Sequence, residues 1–571
     1  MRLRSSVGLA LLVLTGCFEA PSCNLNFDDC EDDSDCSYNE ICVTDGFSAT
    51  CESRTLCSGG QGCPAGYFCD QRPPSAADNP FESDTAGKQV CECAGSDCDS
   101  WGEGGYGGYG GYGGAGGYGG YGGTGGSGGS PGCDLPAPTG DVSQGYRIGG
   151  ADSEGGAVVA AGGKTFAVRF RGDLGAGLPT SAGDSDVLVA GYDSLSGIWW
   201  TRAFGNEGPN VPTAIAQSKG AVIVALSFQG TIDAGAGPIE SGPGGAALLV
   251  RLDAGGDVVW TQALRSDGDV TVSGLTIDPA GGRLVVAGTF SGQLEIGSGT
   301  LQSGGGTDGF VAALDLATTE MQWSHLLGGA GDQHVAAVTA DAGVTFVVGG
   351  FEGELSVDGA APVSADAMDA FVMGLADDGQ LAWMRVIGGP DRQVATAVAP
   401  SPSGLVVAGA RGSMTPAPGS VDFGEGVVLN GAGLVDGYVA AYDAGGSVSW
   451  ARLFFGPADT GEVTPRAIGA DCHGHVAVAG SFMDGVEFGD GVIYTGYGKH
   501  DGFVHKMDSK GDTLWTHLLG GPEEDGATGL AIDEDEGFIV VGGSFTGSAT
   551  LGGPSMESAG AEDAFVLEVM P

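Results

Sequence analysis

Three groups of side chains have types and spacings suited to chemistry. Cys472-His473-Gly474-His475 sets a thiol and two imidazoles within four residues, all soft or borderline ligands for a transition metal. They fall between two apolar runs, at a turn, and a metal there needs a further ligand from elsewhere. The reading adopted is a divergent turn with Cys472 standing alone and no metal bound. The second group is an Asp two residues ahead of an aromatic, at Asp308, Asp369, Asp436, Asp501 and Asp563, with Asp186 holding the same place before Val187. Hard cations want clustered oxygens, but one carboxylate per repeat supplies separate oxygens rather than a cage. An Asx-type hydrogen bond that stabilises a turn accounts for the position instead. The third group is acidic, Asp28-Asp29 and Glu31-Asp32-Asp33-Ser34-Asp35, and reads as a solvated charge run. His325 and His517 share a place in two repeats and read as structural. No Ser-His-Asp order, G-x-S-x-G, H-E-x-x-H or phosphate loop is found. The expectation is a protein that is not an enzyme and has no cofactor.

The elements that carry these residues are short and β. Trp200, Trp260, Trp323, Trp383, Trp450 and Trp515 recur every 60 to 67 residues, and most lead within six residues to glycine, as in Trp323-Ser-His-Leu-Leu-Gly-Gly329. Trp260 leads instead to Leu264-Arg265, and in the same repeat Ala246 stands where the others have Asp. Ahead of each Trp come a small apolar strand, a second strand ending in glycine (Leu284 to Gly288, Leu405 to Gly409) and the Asp-led third strand. Four short strands per unit of about 60 residues predict a propeller blade, and helical periodicity is absent. The last unit, from residue 522, holds only three strands. Its fourth is found ahead of the first unit, where Gly145-Tyr-Arg-Ile-Gly-Gly150 matches the close of a Trp strand, with Tyr146 or Gln144 near the Trp place. Residues 143–149 are therefore expected to pair with 563–569 and close a seven-bladed ring. The Trp strand is expected outermost, where blades diverge and need large side chains. These units resemble the bacterial β-propeller repeat of exported proteins (the SBBP type), common in myxobacterial lipoproteins. The resemblance covers residues 142–571 and includes Phe423-Gly424 and Phe488-Gly489.

The N-terminal quarter is of another kind. Arg2 and Arg4 precede an apolar run over 7–14, too short to span a bilayer. Leu14-Thr15-Gly16-Cys17 then resembles a bacterial lipobox, which implies cleavage after residue 16 and acylation of Cys17. Several buried acyl chains anchor what one chain cannot. Phe18 in the next place, rather than Asp, favours the outer membrane by the sorting rule of such lipoproteins. Twelve cysteines follow, an even number: Cys23, Cys30, Cys36, Cys42, Cys51, Cys57, Cys63, Cys69, Cys91, Cys93, Cys98 and Cys133. In an exported chain such a dense set reads as disulfides. Over 17–100 they form a region too small for a sufficient apolar core, so covalent links must restrict its unfolded ensemble. Paired CxxC knuckles for zinc are missing. Residues 101–141 are a Gly/Tyr-rich linker, whose 28-residue tract of Tyr-Gly-Gly triplets spans roughly 30 Å as a flexible coil.

A formal net charge of −50 excludes a nucleic-acid partner, which requires a basic footprint. It also argues against charge-driven binding to an anionic membrane. The expected function is a monomeric, envelope-anchored lipoprotein held to the membrane through Cys17, with a non-catalytic propeller that binds a protein or a glycan. The alternative is a propeller enzyme acting on polysaccharide, a lyase or hydrolase, and a third reading is a purely architectural envelope component.

Overall fold

The computed structural model describes residues 140–570, less 151, 153–154, 160–164, 176–177, 194–196, 219, 280–281, 413–418, 458–459, 534–537 and 554, and five short strands ahead of them. The chain divides into two compact units between Gly125 and Gly126. In the first, Glu40–Thr44 pairs with Ala49–Ser53, and Gln89–Cys93 lies between Thr55–Cys57 and Tyr67–Asp70. These registers set Cys42 opposite Cys51 and Cys69 opposite Cys91. The expected leader 1–16, Cys17, the glycine-rich tract, the acidic run, and Cys23, Cys30, Cys36, Cys63, Cys98 and Cys133 lie outside the described residues.

Every element among the described residues is a β-strand. In the second unit the strands gather in fours, joined antiparallel in chain order. Val270–Ile277, Arg283–Phe290, Asp308–Asp315 and Met321–Gly328 form one such blade. Six blades are built from consecutive chain. The seventh has Asp525–Asp533, Phe538–Phe545 and Asp563–Val569, and takes its outer strand from the other end of the unit. There Val142–Ile148 pairs antiparallel with it, Ile148 opposite Ala564 and Val142 opposite Val569. First strands of successive blades pack on one another all the way round, and that of the seventh blade packs on Gly155–Val159 of the first. The sheets thus close a seven-bladed β-propeller at the expected seam.

The strands are apolar because each blade is covered on both faces, which favours near-continuous Val, Ala and Leu runs over strict alternation. One buried apolar cluster fills each joint between blades. Ile223, Leu249, Val286 and Phe310 belong to one joint, and Ile148, Phe166, Val168, Val540 and Val566 to the seam.

Two further devices tie blade to blade. In five blades the chain after the second strand reaches the outer strand of the preceding blade, with Leu294 opposite Ser266, Val357 opposite Leu327, Leu551 opposite Leu519, and single bridges from Asp422 to Gly388 and from Glu487 to Phe455. Edge groups that would otherwise face water are bonded in this way. The tryptophans do lie on the outer strands, and they reach the next blade. Trp260, Trp383 and Trp450 donate Nε1–H to the carbonyls of Leu316, Ala444 and Ser509 at 3.0, 2.8 and 3.0 Å. Gly446 and Gly511, both with positive φ, lie against the rings of Trp383 and Trp450, where a Cβ would strike the indole. In the seam blade Gln144 stands at the Trp register, opposite Glu568, and accepts the Tyr146 hydroxyl at 2.7 Å.

Candidate functional site

The repeated aspartates are buried at the start of the third strands. Asp308, Asp436, Asp501 and Asp563 are fully shielded, and Asp186 and Asp369 nearly so. Each of five accepts the main-chain N–H of the residue four places back: Ala182, Gly304, Ala432, Tyr497 and Ala559, at 2.5 to 2.9 Å. The carboxylate therefore pins the loop that enters its own strand, by a bond to the residue four back rather than the forward Asx-type bond expected. Across the sheet the neighbour is a glycine at the end of the outer strand in five of the six; Asp436 is the exception, since Gly437 lies opposite Phe454 and the next outer-strand residue is Phe455. A Cβ on Gly149, Gly205, Gly328, Gly388 or Gly520 would run into the carboxylate of Asp563, Asp186, Asp308, Asp369 or Asp501. In these five blades the glycine leaves room for the carboxylate. The second blade lacks both, and there Ala246 faces Arg265 directly.

Facing the Asp position from the second strand is a buried Phe in six blades: Phe170, Phe228, Phe290, Phe351, Phe482 and Phe545. The fifth blade has Arg411 instead. Its guanidinium, fully buried, pairs with Asp436 at 2.6 Å and Asp391 at 2.9 Å. Burial pushes the carboxyls of Asp186, Asp308 and Asp501 up, against the main-chain hydrogen bonds that pull them down. These carboxylates serve six separate blades and do not converge on one centre.

A tighter grouping forms at the turn 471–475 in the sixth blade, between Glu462–Ala470 and Val476–Glu487. Ligand atoms of Asp471, His473 and His475 all lie within 4.8 Å of one another. Asp471 is buried and organises the turn. Its Oδ1 accepts the N–H of His473 at 3.0 Å and of His475 at 2.9 Å, and its Oδ2 takes the buried Lys506 ammonium at 2.8 Å. Burial works against its charge, but Lys506 and these N–H groups outweigh it and hold the carboxyl below the usual range. His475 Nδ1 lies 3.4 Å from Oδ2, and the two imidazoles stack at 5.5 Å with an 18° tilt. Sequence reading gathered Cys472, His473 and His475 but passed over Asp471, although an alternating Asp-x-His-x-His spacing was there to be read. It also took Cys472 for a lone thiol. That expectation is corrected, because Cys472 is held in a disulfide. Every other cysteine lies at or before Cys133, so counting parity within the dense set missed a pairing made far along the chain.

Three of the remaining histidines serve packing and pairing. His325 Nδ1 lies 2.6 Å from Asp358 Oδ2, with its ring against Trp323, and His517 packs on Trp515. His505 is buried, bonds Thr516 through Nδ1 at 2.8 Å and stacks on Phe488, and burial lowers its pKa to about 3. Asp525, buried near Asp501, is pushed up to about 6 by burial, with Asp501 and Glu524 adding to the rise. Two aromatic side chains stand out in solvent: Trp199 and Tyr497, each 57% exposed.

No family model matches the sequence. No curated relative matches it either. Among solved structures the chain is similar to the Dos1 propeller, at 10% identity over 75% of this chain and 95% of that one, with a TM-score of 0.38. It is similar to the RRP9 WD40 repeats at 10% identity, over 76% and 99%, with a TM-score of 0.38. To quinohemoprotein alcohol dehydrogenase from Comamonas testosteroni it has 13% identity, over 75% and 77%, with a TM-score of 0.36. Likenesses this slight carry no argument about activity, and the propeller assignment rests on the strand order and the closed seam.

Proposed function

We propose that the chain is a monomeric lipoprotein of the outer membrane, anchored through Cys17, whose propeller is a non-catalytic scaffold for a protein or glycan ligand. The observation that carries this reading is the division of labour among side chains. Polar residues that repeat from blade to blade are buried in the frame, with Asp308 and Asp501 fully shielded. Connecting turns on such a frame are where a scaffold carries recognition. Exposed Trp199 and Tyr497 offer flat apolar faces on which sugar rings stack. The disulfide-rich region and the glycine-rich tract hold the ring away from the membrane.

The test has two arms. Fractionation of cells making the wild type or Cys17→Ser should move the protein from the membrane to the soluble fraction, and an unchanged distribution overturns the anchor. Purified chain applied to envelope polysaccharides and envelope proteins should retain a ligand that Trp199→Ala or Tyr497→Ala weakens by about tenfold. That is the loss of one stacking contact of about 1.4 kcal/mol. Turnover of a polysaccharide in the same assay refutes the non-catalytic reading.

A further inference from the structure

We propose that Asp471, His473 and His475 form a binding site for a divalent transition-metal ion of the zinc class. Two imidazoles and a carboxylate are the donors such ions take, whereas calcium and magnesium prefer oxygen alone. Three protein ligands leave a fourth position for water.

The geometry is close to that of a loaded site. Bonds of about 2.0–2.1 Å in a tetrahedron put ligand atoms about 3.4 Å apart, and here they already lie within 4.8 Å. The adjustment falls on the side chains free to make it. His473 is exposed and His475 half-buried, while Asp471 is fixed in the frame. Both imidazoles come off one turn whose shape is set by Asp471 Oδ1, so the ligand that anchors the site also aims the other two.

Two neighbours set the limits of the site. Lys506 shares the Oδ2 oxygen and repels a dication, so the affinity falls below that of a site with three unshared ligands. Cys472 Sγ is 4.0 Å from His473 Nδ1 but is spent in a disulfide and lies outside the donor set. The strong negative charge of the chain raises the local cation concentration and partly offsets the lysine.

The experiment uses the full, untagged chain stripped of metal. Zinc is titrated against a chelating dye in the wild type and in His473→Asn/His475→Asn. Loss of an outer partner alone costs about 10–100-fold in metal affinity, so loss of both imidazoles should abolish one equivalent of zinc binding, weakening it by at least 100-fold. Cobalt in place of zinc should give the visible spectrum of a tetrahedral ion in the wild type only. Equal zinc affinity and stoichiometry in the two proteins overturns the proposal, as does displacement of the zinc by equimolar calcium. A readout that needs no variant is the ring-nitrogen NMR of His473 and His475, which must shift on adding one equivalent of zinc. Unmoved resonances refute the site.

Discussion

The pairing of five buried aspartates with a glycine across the sheet predicts that the two positions are thermodynamically coupled, and the sixth blade offers the clean case. Asp501 is fully buried and accepts the N–H groups of Tyr497 at 2.8 Å and Gly498 at 3.3 Å. Asp501→Ala strands those donors in the interior, at about 1–3 kcal/mol. Gly520 has an ordinary backbone, so alanine there brings no φ penalty, but its methyl would occupy the space of the Asp501 carboxylate. Displacing that carboxylate costs about 1–3 kcal/mol of overpacking. In the double variant the obstacle is gone and the methyl fills the space the carboxyl left. Its cost should equal that of Asp501→Ala alone, giving a coupling energy of about 1–3 kcal/mol. The second blade already carries the double state, with Ala246 across from Arg265. Urea midpoints of the four proteins, followed by tryptophan fluorescence, yield the cycle. Additivity within about 0.5 kcal/mol would show that the two residues do not meet and would falsify the rule.

Two more perturbations test the frame. Burial raises the Asp525 carboxyl from 3.8 to about 6 in the folded protein, so the native state holds its proton more tightly than the unfolded chain. That contribution to stability is complete below about 3.8 and is lost as pH rises through about 6; Asp525→Asn should flatten the corresponding fall in urea midpoint, and an unchanged slope assigns it elsewhere. Ile148, buried in the seam cluster with Val566 and Phe166, should cost about 2–5 kcal/mol as alanine, and a loss under about 0.5 kcal/mol in the same unfolding assay would mean that the closing strand seals nothing.

Much of the frame was legible because its parts are large, rare or sterically special. Tryptophan is rare enough that its 60-to-67-residue interval reveals the period. Glycines are forced by contact, as at Gly520, so they mark strand ends. The seam was legible for the same reason, since Gly145 to Gly150 repeats the close of a Trp strand without its Trp. What escaped was the meaning of departures. Ala246 and Arg265, two departures in one repeat, turn out to face each other, so that a side chain stands where five other blades have glycine beside a carboxylate. Arg411 was not singled out in the sequence; it takes a Phe position by bringing its charge to Asp436 and Asp391. Breaking such a buried pair from one side costs about 3–5 kcal/mol. Asp471 escaped because it ends a strand in sequence and becomes a neighbour of His473 and His475 only when the turn is made.

The seam also fixes when the ring can be finished. Val142–Ile148 leaves the ribosome, and crosses any membrane, before all of the propeller's other strands, while its partner Asp563–Val569 comes last. Six blades can assemble as they emerge, since their strands are neighbours in sequence. The earliest strand must wait through more than four hundred residues of synthesis, solvated and uncommitted. A contact so far apart in sequence forms slowly, and until it forms both flanks of the array offer open ladders to any passing chain. The organism is thus given a natural checkpoint: a truncated product lacking its final strand can never complete the circle, and it displays that failure as an unpaired border that proteases and chaperones can recognise.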